Sequence, residues 1–95
     1  MSKLSAEQIA VYLRKLQSWK FENSALHKTY RLPSFAASIR FVQQIAAAAE
    51  SANHHPDLYI RSDRVTVSLT THDANGVTGK DFSLAQQIDS ISSSL

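Results

Sequence analysis

The chain has 95 residues, a formal charge of +2 and only 19% charged residues, so it holds one domain with a modest core that buries roughly 65% of the unfolded surface. It has no cysteine, which excludes disulfides, thiolate catalysis and sulfur-ligated metals. Its ten lysines and arginines are scattered rather than striped, which argues against direct nucleic-acid binding despite a pI near 9.2.

Ser5-Ala6-Glu7-Gln8 is a capping-box pattern with Ser5 as N-cap. Ile9, Tyr12, Leu13 and Leu16 follow at helical spacing, predicting a first helix of about three turns. Trp19 and Phe21 then alternate with Lys20 and Glu22, as in a short strand, and Asn23-Ser24 turns the chain. Leu26, Lys28, Tyr30 and Leu32 share one face of a second strand, with His27, Thr29 and Arg31 opposite. Lys28 interrupts that otherwise apolar face.

Pro33-Ser34 ends the strand and supplies a second N-cap. From Phe35 to Ala52 there is no Gly or Pro and alanine dominates, predicting a long helix. Its expected inner face carries Phe35, Ile39, Val42, Ile45, Ala46 and Ala49, widened by Phe41. Pro56 disfavours helical geometry at His55 and lacks a backbone donor, so the pair His54-His55 is held at a helix-to-strand corner. Leu58-Tyr59-Ile60 reads as a brief strand, Arg61-Ser62-Asp63 as a turn, and Arg64 to Thr71 as an alternating strand with Val65, Val67 and Leu69 on one face.

His72 opens the loop Asp73-Ala74-Asn75-Gly76. Thr78-Gly79-Lys80-Asp81 starts a last helix, its acid near the positive helix end, with Leu84, Ile88, Ile91 and Leu95 as inner stripe. Paired strands with short turns between helices predict a single α+β domain over residues 1–95. Its order is helix, two strands, helix, two strands, helix, with a four-stranded antiparallel sheet covered by helices on one face. No stretch is long and apolar enough to span a membrane, and the first residues lack an apolar leader pattern, so a cytoplasmic location is expected.

Three of the four histidines cluster in this scheme. If the strands after the corner pair as a hairpin, His72 returns close to His54 and His55. His27 lies in a strand with no polar cluster around it and reads as solvated. A metal is disfavoured, because adjacent histidines in an extended segment point apart and the helical His-x-x-x-His spacing is missing. Acid–base chemistry suits the group, since imidazole titrates near 6.5 and several together can take one proton and supply another. Glu50, four residues before His54, is a candidate to orient an imidazole. No serine nucleophile motif, phosphate loop or dinucleotide fingerprint is present.

The pattern Glu50-x-x-x-His54-His55-Pro56-Asp57, with His72 sixteen residues after the proline, resembles the pterin-4a-carbinolamine dehydratase family. The likeness covers nearly the whole chain. It includes Trp19 before the first strand, Phe35 with the long helix, and Lys80-Asp81-Phe82-Ser83-Leu84-Ala85 at the last one; Ser62 departs from the aromatic residue usual in that turn. The resemblance implies the same element order, and homodimers or homotetramers in which the sheet extends between subunits. It further implies dehydration of a 4a-hydroxytetrahydropterin to quinonoid dihydropterin, in tetrahydrobiopterin recycling, with no metal or cofactor. By position, His54 and His72 are the proton donors and acceptors on opposite sides of the pterin, and His55 binds the ring and assists as base. Trp19 would pack near the ring, while Asp57, Asp81 and Glu50 would bond imidazoles or the pterin edge. The alternative is a protein-binding module, a transcriptional coactivator or an assembly chaperone for carbon-fixing enzymes. Such relatives dispense with the histidines, whereas this chain keeps all three.

Overall fold

The computed structural model describes residues 2–95. The elements run α1 (Ala6–Leu13), β1 (Lys20–Glu22), β2 (Ala25–Arg31), α2 (Phe35–Ala52), β3 (Asp57–Arg61), β4 (Arg64–Leu69), a 3₁₀ turn (His72–Ala74) and α3 (Gly79–Ser93). The four strands form one antiparallel sheet in the order β1-β2-β4-β3, as the α+β reading expects.

Local chemistry accounts for the element ends. Ser5 and Gln8 form the reciprocal capping box at α1. That helix has about two turns instead of three, because it loosens into shorter-range bonds, Lys15 N–H to Tyr12 O and Leu16 N–H to Leu13 O. Leu16 still packs against the core. Asn23 and Ser24 both take positive φ, 51° and 62°, giving the two-residue turn that joins β1 to β2. Ser62, φ 56°, makes the corresponding turn between β3 and β4.

The core lies between one face of the sheet and the helices. Leu26, Tyr30, Val65, Val67 and Leu69 meet Phe41, Ile45 and Ala49 of α2 and Phe82, Leu84, Ala85 and Ile88 of α3. The bounds of α2 match the expected ones, but its inner face is rotated. Phe41 stands at the centre with Ser38, Ile45 and Ala49, whereas Phe35 is 58% exposed and Ala46 faces solvent. The small Ser38 and Ala49 let the helix settle close, and Phe41 meets Tyr30 edge-on with centroids 4.9 Å apart. Leu95 lies beyond α3 and is exposed, so the inner stripe of that helix ends at the half-buried Ile91. The opposite face of the sheet, with Thr29, Arg31, Tyr59 and Thr66, carries no helix among the described residues.

Lys28 belongs on the buried face for a reason. Its ammonium lies 2.8 Å from Asp89 Oδ1 on α3 and over the rings of Tyr30 and Trp19. Trp19 Nε1–H and the Tyr30 hydroxyl donate to the same carboxylate, at 3.0 and 2.5 Å. Burial pushes the Tyr30 phenol up, and the hydrogen bond and charge of Asp89 push it further.

Candidate active site

The end of α2 sets the stage. Asn53 takes the left-handed conformation (φ 51°), and the N–H groups of Asn53 and His54 return to the carbonyl of Ala49. The sequence reading gives this stop to Pro56, yet the left-handed asparagine turns the chain before the proline is reached. Residues 54–56 then run without helix or strand into β3.

Because successive side chains in such a segment diverge, the two histidines have different surroundings. The His54 side chain is 11% exposed, and its Nε2 lies 2.5 Å from Oδ1 of Asp81, whose side chain is fully buried. The His55 side chain is 58% exposed, and its Nε2 lies 2.5 Å from Oε2 of Glu50, itself 76% exposed. Asp81 sits in the first turn of α3, where the helix dipole favours a carboxylate. Its Oδ2 accepts from the Thr71 hydroxyl at 2.8 Å and from the Thr78 N–H at 2.9 Å. With that oxygen taken by two donors, Asp81 acts as acceptor towards His54. The His54 Nε2 therefore carries the shared proton, and Nδ1 is left for other partners.

His72 reaches the same place from the other side. The β3–β4 register pairs Asp57 with Ser68, so the start of β3 lies beside the end of β4. Strand β4 stops at Leu69, not Thr71. Thr71 instead bonds Gly76 in both directions, closing the 72–76 loop that presents His72 at its first position. His54, His55 and His72, with Asn53, Thr70, Thr71, Asp73 and Lys80, line one open cleft of about 330 Å³. Three imidazoles around one open space can donate and accept protons on a molecule bound there. Among the described residues, no group of three His, Asp or Glu side chains is disposed to hold a metal ion.

The other expected site residues fall into place or away from it. Glu50 reaches the cleft through His55, and Asp81 through His54. Asp57 is exposed at the start of β3, and it is not a lining residue. Trp19 is a correction: it is buried on the Asp89 carboxylate between α3 and the sheet, where Lys28 and Tyr30 also bind, and it takes no part in the cleft. His27 bonds the Glu22 carbonyl through Nε2. Thr71 and Thr78 escape the sequence reading as members of the Asp81 network, although Thr78-x-x-Asp81 is visible there as a capping box. A larger hollow of about 500 Å³ opens beside Asp89. Its central polar groups, Lys28, Tyr30 and Asp89, are already bonded to one another, so the free chemistry is at the histidine cleft.

A sequence model of the family described as pterin 4 alpha carbinolamine dehydratase matches residues 2–91. A curated protein of Chloroflexus aurantiacus, provisionally named pterin-4-alpha-carbinolamine dehydratase, is 50% identical over 91 residues, which cover 96% of this chain and 98% of that protein. A relative in Metallosphaera sedula with the same provisional name is 44% identical, covering 96% and 95%. The crystal structure of a transcriptional coactivator/pterin dehydratase from Brucella melitensis superposes with a TM-score of 0.92 at 30% identity, over 96% of this chain and 99% of that one. A pterin dehydratase-like protein identified as a RuBisCO assembly factor in the alpha-carboxysome shares the fold, with a TM-score of 0.70 at 20% identity over 80% and 90% of the two chains.

Proposed function

The chain belongs to the pterin 4 alpha carbinolamine dehydratase family, and we propose that it removes water from a 4a-hydroxytetrahydropterin by histidine acid–base catalysis. The observation that carries this reading is the convergence of His54, His55 and His72 from two chain segments on one cleft, with His54 fixed by the buried Asp81.

The reaction needs two proton movements. Hydroxide is a poor leaving group, so an acid protonates the 4a-oxygen as the C4a–O bond breaks. A base takes the N5 proton, and its bonding pair forms the C4a=N5 double bond; the products are water and the quinonoid dihydropterin. The Nδ1 of His54 is free to accept a proton, and Asp81 stabilises the imidazolium that results, as a buried carboxylate does behind a catalytic histidine. The His72 imidazole has no hydrogen-bond partner among the described residues and supplies the acid from the other segment. His55 binds the ring and assists as base. A 4a-hydroxyl can stand on either face of the ring, so His54 and His72 exchange roles between stereoisomers.

Dehydration measured on each resolved stereoisomer, with His54→Ala, His55→Ala and His72→Ala beside the wild type, tests the scheme. His54→Ala and His72→Ala are expected to slow the two isomers unequally, each by roughly 10²–10⁴-fold on the isomer it serves. His55→Ala is expected to slow both and raise the Michaelis constant. Equal losses on both isomers from the first two variants would refute the division of labour, and an inactive wild type would refute the dehydratase reading.

We also propose that the protein works as a homo-oligomer. Strand β3 is a free edge of the sheet with Tyr59 61% exposed and Ile60 43% exposed, a combination that isolated chains usually cover. A monomer by light scattering at micromolar concentration would contradict this. The same surface supports the second reading, a protein-binding module. The fully furnished histidine cleft favours catalysis over it.

A further inference from the structure

The uncovered face of the sheet carries a row of arginines that lie far apart in the sequence and that the strand register brings together. Arg31 of β2 stands opposite Arg64 of β4, and Arg64 stands opposite Arg61 of β3. Residues directly opposite in an antiparallel sheet share a face, with Cβ atoms about 5 Å apart, so three arginines lie side by side across three strands. The next row, Tyr30–Val65–Ile60, sends Tyr30 and Val65 into the core, so the arginines point the other way. All three are exposed. Arg31 Nε lies 3.8 Å from Asp63 Oδ2, beyond hydrogen-bond reach, and neither Arg61 nor Arg64 joins an ion pair among the described residues. Like charges directly opposite destabilise a sheet, so the free protein bears a repulsion that its own acids leave unbalanced. One row further along the same face, the Thr29 and Thr66 hydroxyls bond each other at 2.9 Å and Tyr59 is 61% exposed.

We propose that this face docks a partner protein through a cluster of carboxylates, seated on Arg31, Arg64 and Arg61 with Tyr59 at its side. Arginine forks match carboxylates two bonds at a time, which a lysine row would not. Arginine and tyrosine are also the residues enriched where proteins bind each other. A nucleic-acid strand fits less well. It is a long, uniform polyanion, and the far end of this face carries the exposed Asp57 and Glu22. A short acidic cluster can sit on the arginine row and stay clear of them. Pairing of β3 edges between copies, proposed above, uses backbone groups and leaves the row open on the face. The docking is independent of the dehydratase reading, since none of the three arginines lines the histidine cleft.

Fluorescence anisotropy with a labelled octaglutamate peptide tests this, beside a labelled oligothymidylate of the same length as the nucleic-acid probe. Wild type is expected to bind octaglutamate more tightly than the oligothymidylate, and more weakly as salt is raised. Arg64→Gln should weaken octaglutamate binding by roughly fivefold, the upper end for one exposed charge pair, and the combined Arg31→Gln, Arg61→Gln, Arg64→Gln protein should lose it. Arg14→Gln, which removes the same charge at the end of α1, should change it by less than about twofold. Without any ligand, Arg64→Gln should raise the melting temperature at low salt by roughly 1–8 °C, because the repulsion is relieved. Octaglutamate binding that the triple variant retains, or that Arg14→Gln weakens as much as Arg64→Gln does, would overturn the proposal. So would a wild type that does not bind the peptide, or a lowered melting temperature for Arg64→Gln. Tighter binding of the oligothymidylate, lost in the triple variant, would put a nucleic acid on the row and overturn the assignment to an acidic protein.

Discussion

Helix α3 carries two aspartates, Asp81 and Asp89, about two turns apart, and each is the hub of three side-chain or backbone donors. At Asp89 the donors are an indole, an ammonium and a phenol, drawn from β2 and the residue before β1. At Asp81 they are a threonine hydroxyl, a backbone amide and an imidazole whose other nitrogen is free. The first hub ties α3 to the sheet and has nothing left to exchange. The second ends in an imidazole with one ring nitrogen unbonded, on the border of an open cleft. Similar saturation of a carboxylate therefore serves different ends, and the partner with a nitrogen left open to the cleft decides which.

The largest expected effect breaks the pair apart. Asp81→Asn keeps the side-chain shape, but its single amide oxygen is held by the Thr71 and Thr78 donors, so an NH2 group replaces the acceptor that fixes the His54 proton on Nε2, and dehydration should fall by roughly 10²–10⁴-fold with a small change in melting temperature. Asp89→Asn should do the reverse. It leaves the half-buried Lys28 without its counter-charge and two further donors weakly met, a loss of about 2–3 kcal/mol, while turnover per folded molecule stays near wild type. In a domain of this size that is a drop of roughly 8–24 °C. Paired thermal melts and single-turnover assays read both. Matching losses of activity in the two variants would erase the distinction between the hubs.

A smaller effect sharpens the view of Asp89 as a permanent knot. Burial first, and then Asp89, hold the Tyr30 phenol above its ordinary value, so the folded protein keeps that proton when an unfolded tyrosine has lost it. The raised folded value means that the stabilisation is fully present below about pH 10 and is lost as pH climbs above it. In that range wild-type stability should fall by about 1.4 kcal/mol per pH unit more steeply than that of Tyr30→Phe, the slope of one proton. Urea unfolding of the two proteins at a series of alkaline pH values measures the difference. Parallel slopes would mean that Tyr30 ionises in the folded state as freely as in the unfolded one.

Much of this was legible in the sequence, and the gaps have physical causes. Strong local signals placed the elements: the Ser5–Gln8 box, the uninterrupted stretch of α2, and the alternation of Val65, Val67 and Leu69. The hairpin reading also put His72 beside His54 and His55, because consecutive strands with a short turn leave little choice of partner. What spacing could not yield is which side chain a distant residue meets. Lys28 looked like a flaw in an apolar face because Asp89 lies sixty-one residues away. Trp19 looked like a ring-packing residue for the same reason, since only the folded chain brings its indole to Asp89. The rotation of α2 shows a related limit: alanine-rich helices offer several faces of similar polarity, and the fit of Phe41 against Tyr30 selects one.

The smallest expected effect lies within the histidine pair. Glu50 stands to His55 as Asp81 stands to His54, with the same 2.5 Å separation, but both members of the outer pair are largely open to water. An exposed pair gains little from its charges, because solvent screens them and competes for each hydrogen bond, and ordering two mobile side chains costs entropy. In the proposed scheme His55 can also be held in place by the substrate ring, whereas His54 depends on its carboxylate throughout. Glu50→Gln, which preserves an acceptor oxygen, should therefore change turnover by no more than a few-fold and stability by less than about 1 kcal/mol. The effect should shrink further as salt is raised. Steady-state kinetics of Glu50→Gln beside Asp81→Asn at low and high ionic strength make the comparison. If the outer carboxylate proved as costly to lose as the inner one, burial would not be what separates the two histidines, and His55 would have to be ranked with His54 as a residue whose orientation the protein fixes before the substrate arrives.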